Sequence, residues 1–288
     1  MEKPIISLVA SANRVKFWPR IYESLRFHQT PLEVVFVGDT QPEMPLPENF
    51  RWIHATVKPA QCYEIGFREA KGELVHWTAD DADYCYKGRF GDCLAPLDVA
   101  YMHWKGMEAK YGNDKKSVVA MRPIEDGGDV WNFHHFFGGW QHTPMMAPFA
   151  LLSRDYLVNT LGGYDKRFVS GQSENDVIMR VYQDGGRVEV CLDSMLYVHH
   201  KQVHPRDNQG REDNKFRKWY NTDRDVLEEC WVHGGRGWYE KLNAMKPSPE
   251  RESMKFSVPL SSLRLSPVQK FSDENITTVT QGIKGHWV

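Results

Sequence analysis

Gly72-Glu73-Leu74-Val75-His76-Trp77-Thr78-Ala79-Asp80-Asp81-Ala82-Asp83 joins a turn signal, a mostly apolar run of strand length, and three carboxylates within four residues. Carboxylates crowded where a buried strand ends repel one another unless a cation neutralises them, and hard oxygen ligands of this kind suit Mg²⁺ or Mn²⁺. The stretch therefore reads as a strand that delivers a metal site. A solvated acidic loop or a helix cap is the better reading for such a cluster standing alone.

The flanking sequence supplies a frame for that strand. Residues 4–10 read as a buried strand, and 15–28 as a helix with Phe17, Ile21 and Leu25 on one face. A second strand over 33–37 ends at Gly38 and Asp39, and a third lies around Trp52, Ile53 and His54. Pro59 is a natural first helical residue and opens a helix that runs to Ala70. Strands and helices alternating at these lengths imply right-handed βαβ units and a parallel sheet, whose ligands sit at the carboxyl ends of the strands. Asp39 and the acidic cluster both fall on that edge.

Farther along the chain the pattern is less regular. A helix is expected over 92–111, a strand over 117–121, and another strand past Arg187 that ends at Tyr197, Val198, His199 and His200. Between them, 126–142 is a loop rich in Gly, His and aromatic residues, which either forms a binding surface or packs over the sheet. Residues 205–244 are polar with two helices, and the Pro- and Ser-rich stretch 246–267 reads as an extended arm.

A second motif lies about ninety residues beyond the first. Leu161-Gly162-Gly163-Tyr164-Asp165-Lys166-Arg167-Phe168 leads into Ser173-Glu174-Asn175-Asp176-Val177-Ile178-Met179-Arg180. In this order the two motifs resemble the nucleotide-sugar glycosyltransferases of the GT-A fold, family 2-like. The resemblance covers about residues 4–204. It implies an α/β, Rossmann-like, mostly parallel mixed sheet flanked by helices, in a domain over 1–204, with 205–288 as a helical and extended segment packed on it.

The resemblance also implies a reaction: inverting transfer of a sugar from a nucleotide-diphosphate donor, UDP-linked, to an acceptor hydroxyl, with Mn²⁺ or Mg²⁺ on the diphosphate. The family's Asp-x-Asp falls on Ala79-Asp80-Asp81, so its first Asp is absent here. Two registers stay open, with Asp81 as the metal ligand in one and Asp81 with Asp83 in the other. A histidine twenty-five residues or so beyond Glu174 completes the shell in such enzymes, so His199 or His200 is expected there, with His204 next. Donor contacts are expected from Ser11, Asn13, Asp39, Asp80 and Asp81, and acceptor contacts from Trp140, Gly163 and Tyr164.

The resemblance places the catalytic base on Glu174, and Asp176 is the alternative. A carboxylate in the first turn of a helix is held ionised by unpaired backbone N–H groups and the helix dipole, and an ionised carboxylate can accept a proton. Ser173 and Asp176 also form a capping-box pattern, and Asp176 and Arg180 an i,i+4 ion pair, which leaves Glu174 without a structural task.

Composition narrows the class. The 288 residues carry a net charge of −2, which gives no global attraction to nucleic acid or an anionic membrane. Five widely spaced cysteines without a Cys-x-x-Cys pair suggest neither a disulfide framework nor structural zinc, and a reducing compartment fits. The expectation is a soluble, cytoplasmic enzyme without a transmembrane segment. The acceptor is a glycan or a hydroxymethylated DNA base; for the latter, 214–220 interleaves basic and aromatic residues as a phosphate backbone and splayed bases require, although an amphipathic helix with a basic face looks the same. Sugar-phosphate nucleotidyl transfer would place a glycine-rich basic loop after the first strand, where Ser11-Ala12-Asn13-Arg14 stands instead. A non-catalytic glycan-binding protein is the remaining class, and it would tolerate loss of the carboxylates.

Overall fold

Apolar residues on both faces of the early strands make them interior strands of a sheet covered on two sides. Ile6, Leu8 and Ala10 of β1 (Ile6–Ser11) point into one core and Val9 into the other; Val34 and Phe36 of β2 (Leu32–Gly38) alternate with Val35 and Val37 in the same way. The computed structural model describes residues 2–84, 86–87, 93–125, 147–199, 220–231, 246–248 and 264–273.

The described strands form an eight-stranded sheet. Beyond β1 and β2 it contains β3 (Phe50–His54), β4 (Leu74–Trp77), β5 (Ala82–Asp83), β8 (Ser117–Glu125), β9 (Ala150–Ser153) and β10 (Arg187–Val198), in the order β3-β2-β1-β4-β9-β8-β10-β5. A separate pair, β6 (Tyr86–Lys87) and β7 (Cys93–Leu94), follows β5. β3, β2, β1 and β4 are mutually parallel, as are β8 and β10, while β9 runs against both β4 and β8, and β5 against β10. The sheet is mixed and mostly parallel, as expected. Its reversed strand β9 is only four residues of apolar sequence, too short for periodicity to announce.

Helices α1 (Trp18–Leu25) and α3 (Pro96–Lys110) cover one face, where Trp18, Ile21, Leu97 and Trp104 join the core. On the other face Ile65 and Phe67 of α2 (Pro59–Glu69) and Val177, Ile178 and Val181 of α4 (Ser173–Gln183) fill the second core. Two helices start later than expected. The helix expected from residue 15 begins as a 3₁₀ turn, Val15–Phe17, and becomes α-helical at Trp18, where Pro19 occupies the first turn. The helix expected from residue 92 starts at Pro96, because β7 occupies the residues before it.

Helix α5 (Tyr220–Trp231) packs Cys230 and Trp231 against Met179 of α4, and Phe271 enters the core shared with α2. Among the described residues no helix is long and apolar enough to cross a membrane.

The carboxyl edge depends on one close approach. Ala12 N–H donates to the Val37 carbonyl at 2.8 Å, and a Cβ on Gly38 would land on the Ala12 carbonyl oxygen. Gly38→Ala should therefore destabilise the protein by about 1–3 kcal/mol, the range for overpacking a tight contact. A urea melt reads this, and a wild-type midpoint would show that the loop after β1 yields freely.

Candidate active site

The parallel strands β1, β2 and β4 end on one edge, so the loop after β1, Asp39 and the acidic stretch meet there. Asp80 is fully buried, and both of its oxygens are engaged. One accepts the backbone N–H of Asn13 at 2.8 Å and of Arg14 at 2.6 Å, and the other takes the Arg14 guanidinium. Asp80, expected as a donor contact, thus ties down the loop after β1. Asp81, also fully buried, lies 3.7 Å from the same guanidinium, and its backbone carbonyl accepts the His199 N–H at 3.0 Å.

Asp83 turns to a different partner set. β5 pairs with the end of β10 through Tyr197–Asp83 and Val198–Ala82, which brings His199 over the cluster. The Asp83 Oδ2 is 2.8 Å from His199 Nε2 and accepts from Arg20 Nε at 2.6 Å, while an Arg20 terminal nitrogen lies 3.0 Å from the same His199 Nε2. Among the described residues no three His, Cys, Asp or Glu side chains gather as a metal shell. Two arginines, Arg14 and Arg20, stand beside the crowded carboxylates, where the sequence pattern pointed to a metal.

Across the edge stands Glu174, in the first turn of α4 and half-buried. Burial pushes its carboxyl above the usual Glu value, against hydrogen bonds from the N–H groups of Glu174 and Gln172. The dipole argument for a firmly ionised group is therefore outweighed by desolvation. Tyr63 links the two halves of the site: it donates to the Thr78 carbonyl at 2.6 Å, and its hydroxyl is pushed up by burial first, then by the charges of Glu174 and Asp80.

Ser173 does not cap α4. The N-cap is Gln172, a non-glycine residue at φ 65° with no side-chain capping bond. Holding a residue there takes support from outside the loop. Asp223 of α5 supplies it, since its buried carboxylate accepts the N–H groups of Val169, Ser170 and Gly171 at 2.8, 2.6 and 2.8 Å.

Asp176 is bound on every side. Arg180 Nε donates to it at 3.0 Å, Trp231 Nε1 at 2.8 Å and Arg264 Nε at 3.0 Å. The expected ion pair with Arg180 is present, and the carboxylate that the sequence offered as the alternative base is fully buried among these donors. Gly163 and Tyr164, expected at the acceptor, also lie in the interior. Tyr164 packs its ring on Phe67 and Tyr63 at 3% exposure, and a Cβ on Gly163, at φ 72°, would strike the Glu64 carboxylate. Ser11, Asn13 and Asp39 remain on the open edge, with Asp39 accepting from Thr40 Oγ1 at 3.3 Å. His200, His204, Trp140, the aromatic loop 126–142 and the basic segment 214–219 lie outside the described residues.

Arg14, Arg20, Asp223 and Arg264 were not marked by the sequence motifs. The two arginines had a signal, because crowded buried carboxylates demand nearby cations and both follow the first strand. Asp223 and Arg264 had none, since their partners lie tens of residues away.

No protein-family model matches the chain, and no curated protein matches it. Among solved structures it is similar to the mannosyltransferase PcManGT from Pyrobaculum calidifontis in complex with GDP-Man and Mn²⁺, at 14% identity and a TM-score of 0.49, over 88% of this chain and 69% of that one. It is also similar to S. aureus TarS 1-349, at 14% identity and a TM-score of 0.48, over 69% of this chain, and spans 61% of the length of that protein. For the complex of TarS 1-349 with UDP-GlcNAc the identity is 15% and the TM-score 0.47, over 68% and 58% of the two chains.

Arg264 offers a direct test of how the C-terminal residues support this edge. It joins the fully buried Asp176 and Asp165, with its own side chain 6% exposed. Burial raises the Asp165 carboxyl, but hydrogen bonds from Arg167, the Gln269 N–H and Arg264 outweigh it and hold the group at about 2. A depressed folded-state pKa contributes stability that is present above the unfolded value, 3.8, and lost as pH falls toward 2. Arg264→Ala should cost about 3–5 kcal/mol, as when one partner of a buried pair is removed, and should move acid unfolding to higher pH. Chemical denaturation at pH 7 and an acid titration by circular dichroism read both, and a loss within error of zero would detach the C-terminal residues from the fold's stability.

Proposed function

We propose that the protein transfers a glycosyl group from a nucleotide-diphosphate sugar to an acceptor hydroxyl, with Glu174 as general base. The observation that carries this reading is the pairing, on one sheet edge, of a half-buried carboxyl with raised proton affinity and a separate carboxylate–imidazole pair that the Arg20 guanidinium contacts.

Asp83 Oδ2 and His199 Nε2, 2.8 Å apart, fit a Mn²⁺ or Mg²⁺ that takes its remaining positions from phosphate oxygens and water. Bound there, a divalent cation would offset the charge that develops on the departing nucleoside diphosphate. Asp81, 3.7 Å from the Arg14 guanidinium, stands beside this pair as a further ligand of the proposed shell. Arg14 and Arg20 add positive charge beside the same phosphates. Ser11, Asn13 and Asp39 form the open side, where the nucleoside, proposed as uridine, would lie.

Glu174 takes the acceptor's proton as the hydroxyl oxygen forms its bond to the anomeric carbon. The bond from that carbon to the diphosphate breaks on the opposite face, so the centre inverts. Raised proton affinity suits this step, because a carboxylate more basic than a solvated Glu accepts the proton more readily. The acceptor is a glycan or a hydroxymethylated base in DNA. A donor panel headed by UDP-GlcNAc and GDP-Man, with Mn²⁺, followed by both acceptor types, decides between them.

Glu174→Gln keeps size and polarity but cannot take a proton. Donor affinity should survive, while transfer falls by roughly 10²- to 10⁴-fold, the usual share of a general base. The wild-type pH profile of kcat/KM should lose activity, as pH falls, through a value above the ordinary 4.5 of Glu, and this limb should vanish in the variant. Transfer by the variant at the wild-type rate would place the base elsewhere.

A further inference from the structure

Arg20 occupies a position that neither the strand edge nor the proposed base explains. It stands on α1 with its side chain 47% exposed, yet its guanidinium reaches two nearly buried groups, Asp83 at 9% and His199 at 7%. Nε lies 2.6 Å from Asp83 Oδ2, and a terminal nitrogen 3.0 Å from His199 Nε2. The Phe17 ring is shared by both sides, 5.3 Å from the Arg20 guanidinium carbon and 5.3 Å from the His199 ring centroid.

The geometry contains a conflict. A ring nitrogen has one in-plane position, which either carries a proton to donate or a lone pair to accept. His199 Nε2 is 2.8 Å from a carboxylate oxygen that wants a proton and 3.0 Å from a guanidinium nitrogen that offers one. Whichever form the ring takes, one of these two contacts is unmatched. A carboxylate oxygen and an imidazole lone pair aimed at one point are jointly satisfied by a compact cation better than by a guanidinium approaching from the side.

We infer that Arg20 is a diphosphate-binding residue whose guanidinium stands on Asp83 and His199 in the free protein and moves to the nucleotide's phosphates when donor and metal bind. The inference rests on the proposed reading of Asp83 and His199 as metal ligands. In the free protein the guanidinium and a divalent cation compete for the same two acceptors. A diphosphate gives the planar guanidinium a bidentate partner, which a carboxylate already held by a histidine does not. Each ligand then clears the way for the other, and their binding is coupled reciprocally.

Mn²⁺ binding, followed by the loss of the free-ion electron paramagnetic resonance signal, tests this with and without UDP. UDP binding is measured in parallel by calorimetry, in the wild type, Arg20→Ala and Arg20→Lys. Without UDP, Arg20→Ala should bind Mn²⁺ about tenfold more tightly than the wild type, the size of a moderate coupling. It should bind UDP more weakly, and the enhancement of Mn²⁺ binding by UDP should shrink. Arg20→Lys, which keeps the charge without the planar fork, should fall between. Mn²⁺ affinity equal in the wild type and Arg20→Ala, with the enhancement by UDP unchanged, would overturn the role of Arg20 and leave the metal reading standing. Absence of Mn²⁺ binding in all three proteins, with UDP present, would overturn the metal reading and with it the competition.

Discussion

Neutralising buried carboxylates at the carboxyl edge of the sheet is the constraint on which the rest of the structure depends. An ionised carboxylate taken out of water costs several kcal/mol unless it is paired and hydrogen-bonded. This chain buries Asp80, Asp81, Asp83, Asp165, Asp176 and Asp223. Arg167 and Arg180 are local partners of Asp165 and Asp176, while the other pairings join segments remote in sequence. Arg14 and two backbone N–H groups on Asp80 set the path from β1 to α1. Arg20 and His199 on Asp83 join α1 to the end of β10.

The same logic governs the opposite side of the site. Asp223 gathers three consecutive N–H groups of the loop that precedes α4, a loop that must hold Gln172 in the left-handed region before Glu174 can enter the first helical turn. Asp165 and Asp176 are bridged by Arg264, and Trp231 closes on Asp176. Packing of α5 on α4 is thus coupled to the position of the half-buried carboxyl two residues upstream of Asp176. An element that adds little to the sheet determines the geometry at its edge.

Much of the sheet was legible because its strands are apolar on both faces and α2 begins at a proline. β1, β2, β4 and α2 lie within a residue or two of where Ile6, Val35, Leu74 and Pro59 place them. β9 escaped because Ala150-Leu151-Leu152-Ser153 has no periodicity of its own and is a strand only through its pairing with β4 and β8. At the site, the acidic stretch and the sequence around Glu174 were visible as local composition. What was invisible was how the charges pair. Ser173 and Asp176 have the spacing of a capping box, but three donors, two of them from the C-terminal residues, claim the Asp176 carboxylate.

Proton affinity alone does not sort these carboxyls into chemical and structural ones. Asp165 is held low by its arginines, whereas burial raises both Glu174 and Asp223. Asp223 is sealed, with each oxygen taken by backbone N–H groups, so its raised value reports only the cost of burying it. Glu174 keeps an exposed part, and neither a lysine nor an arginine is among the causes of its shift. A carboxyl that is desolvated, uncompensated by a cation and still open to solvent stores proton affinity where a substrate can reach it. Accessibility, added to the shift, is what distinguishes the group able to exchange a proton from the one that holds a loop in place.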